Sequence, residues 1–160
     1  MSDAPTKAPA AKAPPAEDFV FVDAGWSLHQ SYRRDPLQAP FFAALKEKRL
    51  VGVRDPSNGR VLFPPRSFAE ESFTPLSELV PVGPGGVIRT LTRVPGRKDG
   101  PPLMVVFVQL DGADSAAAGR LKGPAVEMEN PLPLIGARCR AVFADDPAGG
   151  WGDFWYQLEG

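Results

Sequence analysis

Proline and glycine punctuate this chain so closely that no long helix fits between them. With 19 prolines and 16 glycines among 160 residues, a helix would lose an amide donor or backbone order every few positions. Short strands joined by turns are the economical alternative, so a mainly β protein is expected. The length, with 43% hydrophobic residues, suits one compact domain and a small appendage.

The 18 basic and 19 acidic side chains nearly cancel, leaving no strong field to recruit nucleic acid or an anionic membrane. A single cysteine, Cys139, excludes an internal disulfide framework, and a single histidine, His29, leaves no ligand set for a tetrahedral metal. No apolar run approaches bilayer-spanning length, and the Met1–Pro5 start lacks the basic and apolar regions of a secretory signal. A reducing cytoplasm is the expected location.

Residues 1–17 are almost entirely Ala, Pro and Lys, a composition too poor in packing side chains to offset ordering entropy, so a disordered tail is expected. Residues 18–49 read as an apolar strap, carrying Phe19–Val22 and Trp26, followed by a short helix. That helix opens at Pro40, whose missing N–H costs nothing in a first turn, and ends near Arg49. Residues 50–75 form an arm whose two strands flank Asp55-Pro56-Ser57-Asn58-Gly59, where the Asn-Gly step predicts a tight hairpin turn.

The remainder, 76–160, is expected to be a barrel, with candidate strands at 73–80, 86–94, 103–110, 116–122, 137–143 and 151–158. The apolar run Met104–Val108 predicts a strand buried on both faces, whereas Arg138–Phe143 alternates like a half-buried one. Such strands suit an OB-type or related Greek-key barrel, and their spacing does not choose between the two.

The segment Phe42–Leu50, followed by Asn58-Gly59-Arg60-Val61-Leu62-Phe63-Pro64-Pro65-Arg66, resembles a family of small proteins long labelled only as a domain of unknown function. Its members join a rubredoxin-like zinc ribbon to an OB fold. The resemblance spans residues 37–158 and is sharpest at Gly59 and Phe63–Arg66; Gly85–Thr92, Val105–Asp111 and Ile135-Gly136 resemble later barrel segments. It implies a mainly β chain: an OB-fold barrel preceded by a short helix and a ribbon hairpin. Aligned on Gly59 and Arg66, Asp55, Asn58, Ala69 and Ser72 stand where the family has zinc-binding cysteines. The ribbon is therefore degenerate and zinc-free. Structural zinc contributes on the order of 10 kcal/mol to small modules of this kind, so the arm is expected to be ordered mainly by contact with another protein.

The family resembles accessory subunits of thiolases, acyltransferases, hydratases and aldolases acting on CoA thioesters. The sequence agrees in offering no Ser-His-Asp set, no Cys–His pair and no phosphate loop. Gly83-Pro84-Gly85-Gly86 reads as a loop entering a strand, Cys139 as an inert buried thiol and His29 as an ordinary polar contact. The expected function is a non-catalytic subunit of a thiolase-like complex, a hetero-oligomer binding neither nucleic acid nor membrane. Its partner-binding residues would be Trp26, Phe41, Phe42, Phe63, Pro64, Pro65 and Arg66. No cofactor is expected on this chain alone, and the resemblance allows a coenzyme A thioester in the complex. Arg66, Arg89, Arg93, Arg97 and Lys98 are the candidate contacts to its phosphates. The alternatives are a salt bridge from Arg66 to Glu70 or Glu71, and a solvated strand edge for the others. Trp151, Trp155 and Tyr156 divide between core and interface anchor. Two rival readings are an OB-fold nucleic-acid-binding module and a subunit of a hydratase or aldolase complex.

Overall fold

The computed structural model describes residues 25, 27–29, 34–96 and 100–159. The expected tail at 1–17, most of the strap including Trp26, and the pair Arg97 and Lys98 lie outside the described residues. The chain divides into units 1–32 and 33–160. In the first, Gly25 and residues 27–29 have no regular structure; every element below belongs to the second.

Helix α1, Gln38–Lys46, begins two residues before Pro40, which sits in the first turn as expected. Asp35 sets its start by accepting the Leu37 amide at 2.7 Å. Its end is reached when Lys48 takes a left-handed φ of 57°, with the amides of Glu47 and Lys48 bonded to the carbonyls of Ala44 and Leu45. Phe41, Ala44 and Leu45 form its buried face.

The arm at 50–75 contains strands β1 (Val51–Arg54), β2 (Val61–Leu62), β3 (Phe68–Ala69) and β4 (Thr74–Pro75), and β5 (Glu78–Pro81), in the segment expected to belong to the barrel, joins them. β1 lies between β2 and β5 in one sheet, and β3 pairs with β4 in a small hairpin. The stretch expected as one strand at 73–80 is broken because Leu76 turns into the arm's core, its amide bonded to the Ser67 carbonyl. The tight Asn-Gly turn is also corrected. Residues 55–60 form a longer loop in which Gly59 alone takes a positive φ, +74°, and the Asp55 carboxylate gathers the donors of the loop.

Strands β6 (Gly85–Val94), β7 (Leu103–Leu110), β8 (Ala116–Leu121), β9 (Arg138–Phe143) and β10 (Phe154–Leu158) close into a barrel in the order β10-β8-β7-β6-β9. All pairings are antiparallel except β8 with β10, joined in parallel at Leu121 and Tyr156. Five strands closed in this order form an OB fold. Met104, Val106 and Val108 point inward, but Phe107 is exposed and Leu103 and Val105 are half-buried. The expected burial on both faces therefore fails: a barrel strand has only one face toward the interior, and the outer face of β7 has no covering layer among the described residues.

Barrel, helix and part of the arm share one core in which Ile88, Met104, Val108 and Tyr156 pack in continuity with Phe41, Leu45, Leu50 and Phe63. A second, smaller core of Leu37, Val53, Leu62, Ala69 and Leu76 lies within the arm. No helix among the described residues is long and apolar enough to cross a membrane.

Candidate functional site

Three distant segments meet where the arm joins the barrel. Ser115, just before β8, receives the Phe63 amide at 2.7 Å on its hydroxyl oxygen and donates to the Phe63 carbonyl at 3.0 Å. Asp114 does the same for Val61, accepting its amide on Oδ2 and donating its own amide to the Val61 carbonyl, both at 2.7 Å. These bonds fix the Phe-Pro-Pro-Arg stretch against the barrel. A groove of about 240 Å³ runs along it, lined by Leu62, Phe63, Pro64, Pro65, Arg66 and Ser115.

The buried ring of Phe63 meets Phe41 edge-on at 6.0 Å. Trp151 packs on Phe41 at 5.1 Å and on Phe42 at 5.8 Å, while remaining 51% exposed. Its loop is shaped by Asp153, whose carboxylate accepts the amides of Ala148, Gly149 and Gly150 at 3.1, 2.6 and 2.7 Å. Those bonds, the Gly150 amide foremost, hold the Asp153 carboxyl below the usual carboxylate range. Gly149 is required at its place: φ is +88°, and a Cβ would lie 2.9 Å from Lys46 Cε. The sequence divided the late aromatics between core and surface; Tyr156 is core, while half-exposed Trp151 covers the buried Phe41 and half-buried Phe42.

Asp55 organises the arm. Its Oδ1 accepts the amide and hydroxyl of Ser57 at 2.9 and 2.7 Å, and its Oδ2 accepts the Asn58 amide group at 3.2 Å and the Ser72 hydroxyl at 2.7 Å. Asp55 is 2% exposed, and these bonds, that of the Ser57 hydroxyl first, hold its carboxyl below the ordinary range. Ala69 lines the same small cavity as Asp55 and Asn58. The positions aligned with the family's cysteines thus converge, but the residues present do not fit zinc. Both carboxylate oxygens are already engaged, Ala69 has no donor atom, and among the described residues no group of three acidic, Cys or His side chains is placed to hold a metal.

Several contacts within the chain hold the arm together. Besides Asp55 and the second core, Asp35 Oδ2 accepts the amide and hydroxyl of Ser67 at 2.8 and 2.9 Å, and β5 pairs with β1 along four residues. Burial alone would raise the Asp35 carboxyl; the bonds from Ser67 and Leu37 outweigh it and hold the pKa low.

The described candidate phosphate contacts, Arg66, Arg89 and Arg93, are not gathered in one place. Arg66 stands at the groove and bonds Glu70 Oε1 at 3.2 Å. Arg89 falls at the irregularity between Ile88 and Thr90, where its Nε donates to Gln109 Oε1 at 2.9 Å on the outer face. Arg93 pairs with the inward-facing Met104 and lies beside Pro95 and Pro102 at a different cavity. Among the described residues, no acid–base pair or activated nucleophile lines the groove. Cys139 is buried in the barrel, and burial pushes its thiol up to about 11.

No protein-family model matches the chain, and no curated relative does. Among solved structures, the chain is similar to a protein of unknown function from the DUF35 family of Sulfolobus solfataricus, with a TM-score of 0.59 and 16% identity over 78% of this chain and 86% of that one. It is also similar to a chain of a structure described as the Ltp2-ChsH2(DUF35) aldolase, with a TM-score of 0.55 and 18% identity over 81% and 97%. At these identities the likeness establishes the mainly β, barrel-bearing fold that these DUF35 proteins share with this chain.

Proposed function

We propose that this chain is a non-catalytic subunit of a thiolase-like enzyme complex acting on CoA thioesters, docking through α1, the Phe63–Arg66 segment and Trp151. The observation that carries the reading is the aromatic junction itself. Segments near residues 41, 63 and 151 build an ordered surface of Phe42, Pro64, Pro65 and half-exposed Trp151 on a chain without catalytic groups in its groove. Rigid aromatic anchors beside a polar rim are the usual centre of a protein interface.

In this reading the partner supplies nucleophile, base and oxyanion donors, and the cytoplasm, where CoA thioesters are made and used, is the setting. Arg66 is the candidate for meeting a CoA phosphate or a partner carboxylate, since its guanidinium stands at the groove and its pairing with Glu70 is surface-exposed. The fold likeness to a chain of an aldolase structure favours a second reading with the same docking face, in which the complex cleaves or forms an aldol bond. A nucleic-acid-binding role has less behind it: Arg89 and Arg93 occupy opposite faces of β6, so they do not form one basic groove alongside the exposed Phe107.

The test is affinity purification of the tagged full chain from its native cells, followed by mass spectrometry and by thiolase, acyltransferase and aldolase assays with and without the chain. A stoichiometric CoA-thioester enzyme that loses activity when the chain is withdrawn is the expected outcome. Recovery of the chain alone, with no CoA-dependent enzyme affected, overturns the reading.

A further inference from the structure

At the far end of the arm, the β3–β4 hairpin presents two phenylalanines that the chain's own core does not use. Phe73 is 78% exposed and Phe68 is 44% exposed. Their rings meet edge-on at 6.1 Å. Phe73 also holds a φ of +53°, a left-handed conformation that a bulky residue rarely adopts and that persists only where neighbouring bonds impose it. The neighbouring bonds are present. Ser72 is tied to Asp55 at 2.7 Å, Thr74 Oγ1 donates to the Ser72 carbonyl at 3.2 Å, and Phe68 and Ala69 pair with Pro75 and Thr74. An exposed aromatic is thus fixed outward by a buried carboxylate.

The charges around this tip are closed on themselves. Glu70 pairs with Arg66, and Glu71 with Arg60, so the tip offers no net charge to an anionic membrane or a nucleic acid. Leu62 and Arg66 line both the small cavity under the tip and the Phe-Pro-Pro-Arg groove, which makes the tip continuous with the docking face described above. We propose that Phe68 and Phe73 form a second anchor, a rigid aromatic knob that enters an uncharged apolar socket on the catalytic partner. This rests on the accessory-subunit reading and adds to it a site whose occupant is an apolar pocket of a folded protein.

Two full-length variants and one probe test it. Phe73→Gly retains the left-handed backbone without strain, so its Tm is expected to equal or exceed that of wild type while affinity for the purified partner enzyme falls roughly tenfold or more. Phe68→Ser is expected to weaken binding in the same direction. A benzophenone side chain at position 73 is expected to cross-link to an apolar pocket of the enzyme. If wild type binds the enzyme and Phe73→Gly binds equally well, the knob is overturned while the accessory reading stands. If wild type does not bind, both fall. Cross-linking to a second copy, to lipid or to residues 1–33 of the same chain also overturns it.

Discussion

The hydroxyl of Ser72 donates a 2.7 Å hydrogen bond to Oδ2 of Asp55, 17 residues earlier in the chain. That bond ties the β3–β4 hairpin to the loop between β1 and β2, joining the two halves of the arm through one buried carboxylate. Four donors from Ser57, Asn58 and Ser72 converge on its two oxygens. Charge-assisted bonds of this kind are stronger than neutral ones, and losing their shared acceptor strands every donor at once.

Asp55→Ala is therefore expected to loosen the arm selectively. The melting temperature should fall by about 5 °C or more, and limited proteolysis should cut between residues 55 and 75 before it reaches the barrel. Ser72→Ala, which removes one donor and leaves the acceptor satisfied by the others, should cost less. Equal effects of the two variants would show that the carboxylate is not the organising centre.

The same carboxylate sets an acid limit. In the folded chain Asp55, Asp35 and Asp153 are held below their ordinary pKa by hydrogen bonds. Where the folded pKa is depressed, the unfolded chain takes up protons first as pH falls. The contribution is complete above the unfolded value near 4 and is lost as pH drops from there toward the folded value. Thermal melts across pH 2–7 should show a Tm insensitive to these groups above about 5 and a steep decline below about 4. Asp55→Ala should flatten that decline.

The convergence of Asp55, Asn58, Ala69 and Ser72 around one point makes a further prediction. Replacing all four with cysteine should create a tetrathiolate site that binds one zinc ion, because the side chains already face a shared cavity or one another. Metal analysis should find stoichiometric zinc in this variant and none in wild type. The zinc-loaded variant should resist proteolysis in the arm even though Asp55 is gone. Failure to bind zinc would show that the four positions stand too far apart to share one tetrahedral ion.

The barrel strands were legible because alternation, as in Arg138–Phe143, and breaks at glycine or proline are local signals. The outer face of β7 was not, since Met104–Val108 is apolar throughout and only closure of the barrel decides which side chains turn out. The loop at Asp55 is longer than a tight Asn-Gly turn because the Asp55 carboxylate draws in Ser57 and Asn58, leaving only Gly59 at a positive φ. Phe73 gave no signal either: its left-handed backbone is imposed by bonds made through its neighbours. The phosphate contacts were read from sequence proximity, but pleating and the irregularity at Arg89 put Arg89 and Arg93 on different faces.

Inside the barrel, Tyr156 is fully buried with its hydroxyl unpaired among the described residues, and burial raises its pKa above the ordinary tyrosine range. The ring lies over Gly119, where a Cβ would stand 2.4 Å from Tyr156 Cε2. The close fit therefore belongs to the ring and not to the hydroxyl. An unpaired buried hydroxyl costs about 1–3 kcal/mol in desolvation, so Tyr156→Phe, which keeps the ring, should raise stability by about 1 kcal/mol in urea denaturation. Gly119→Ala should lower it by about 1–3 kcal/mol through overpacking. A Tyr156→Phe variant less stable than wild type would mean that the hydroxyl is satisfied by a buried water and that the barrel interior is wet at that point.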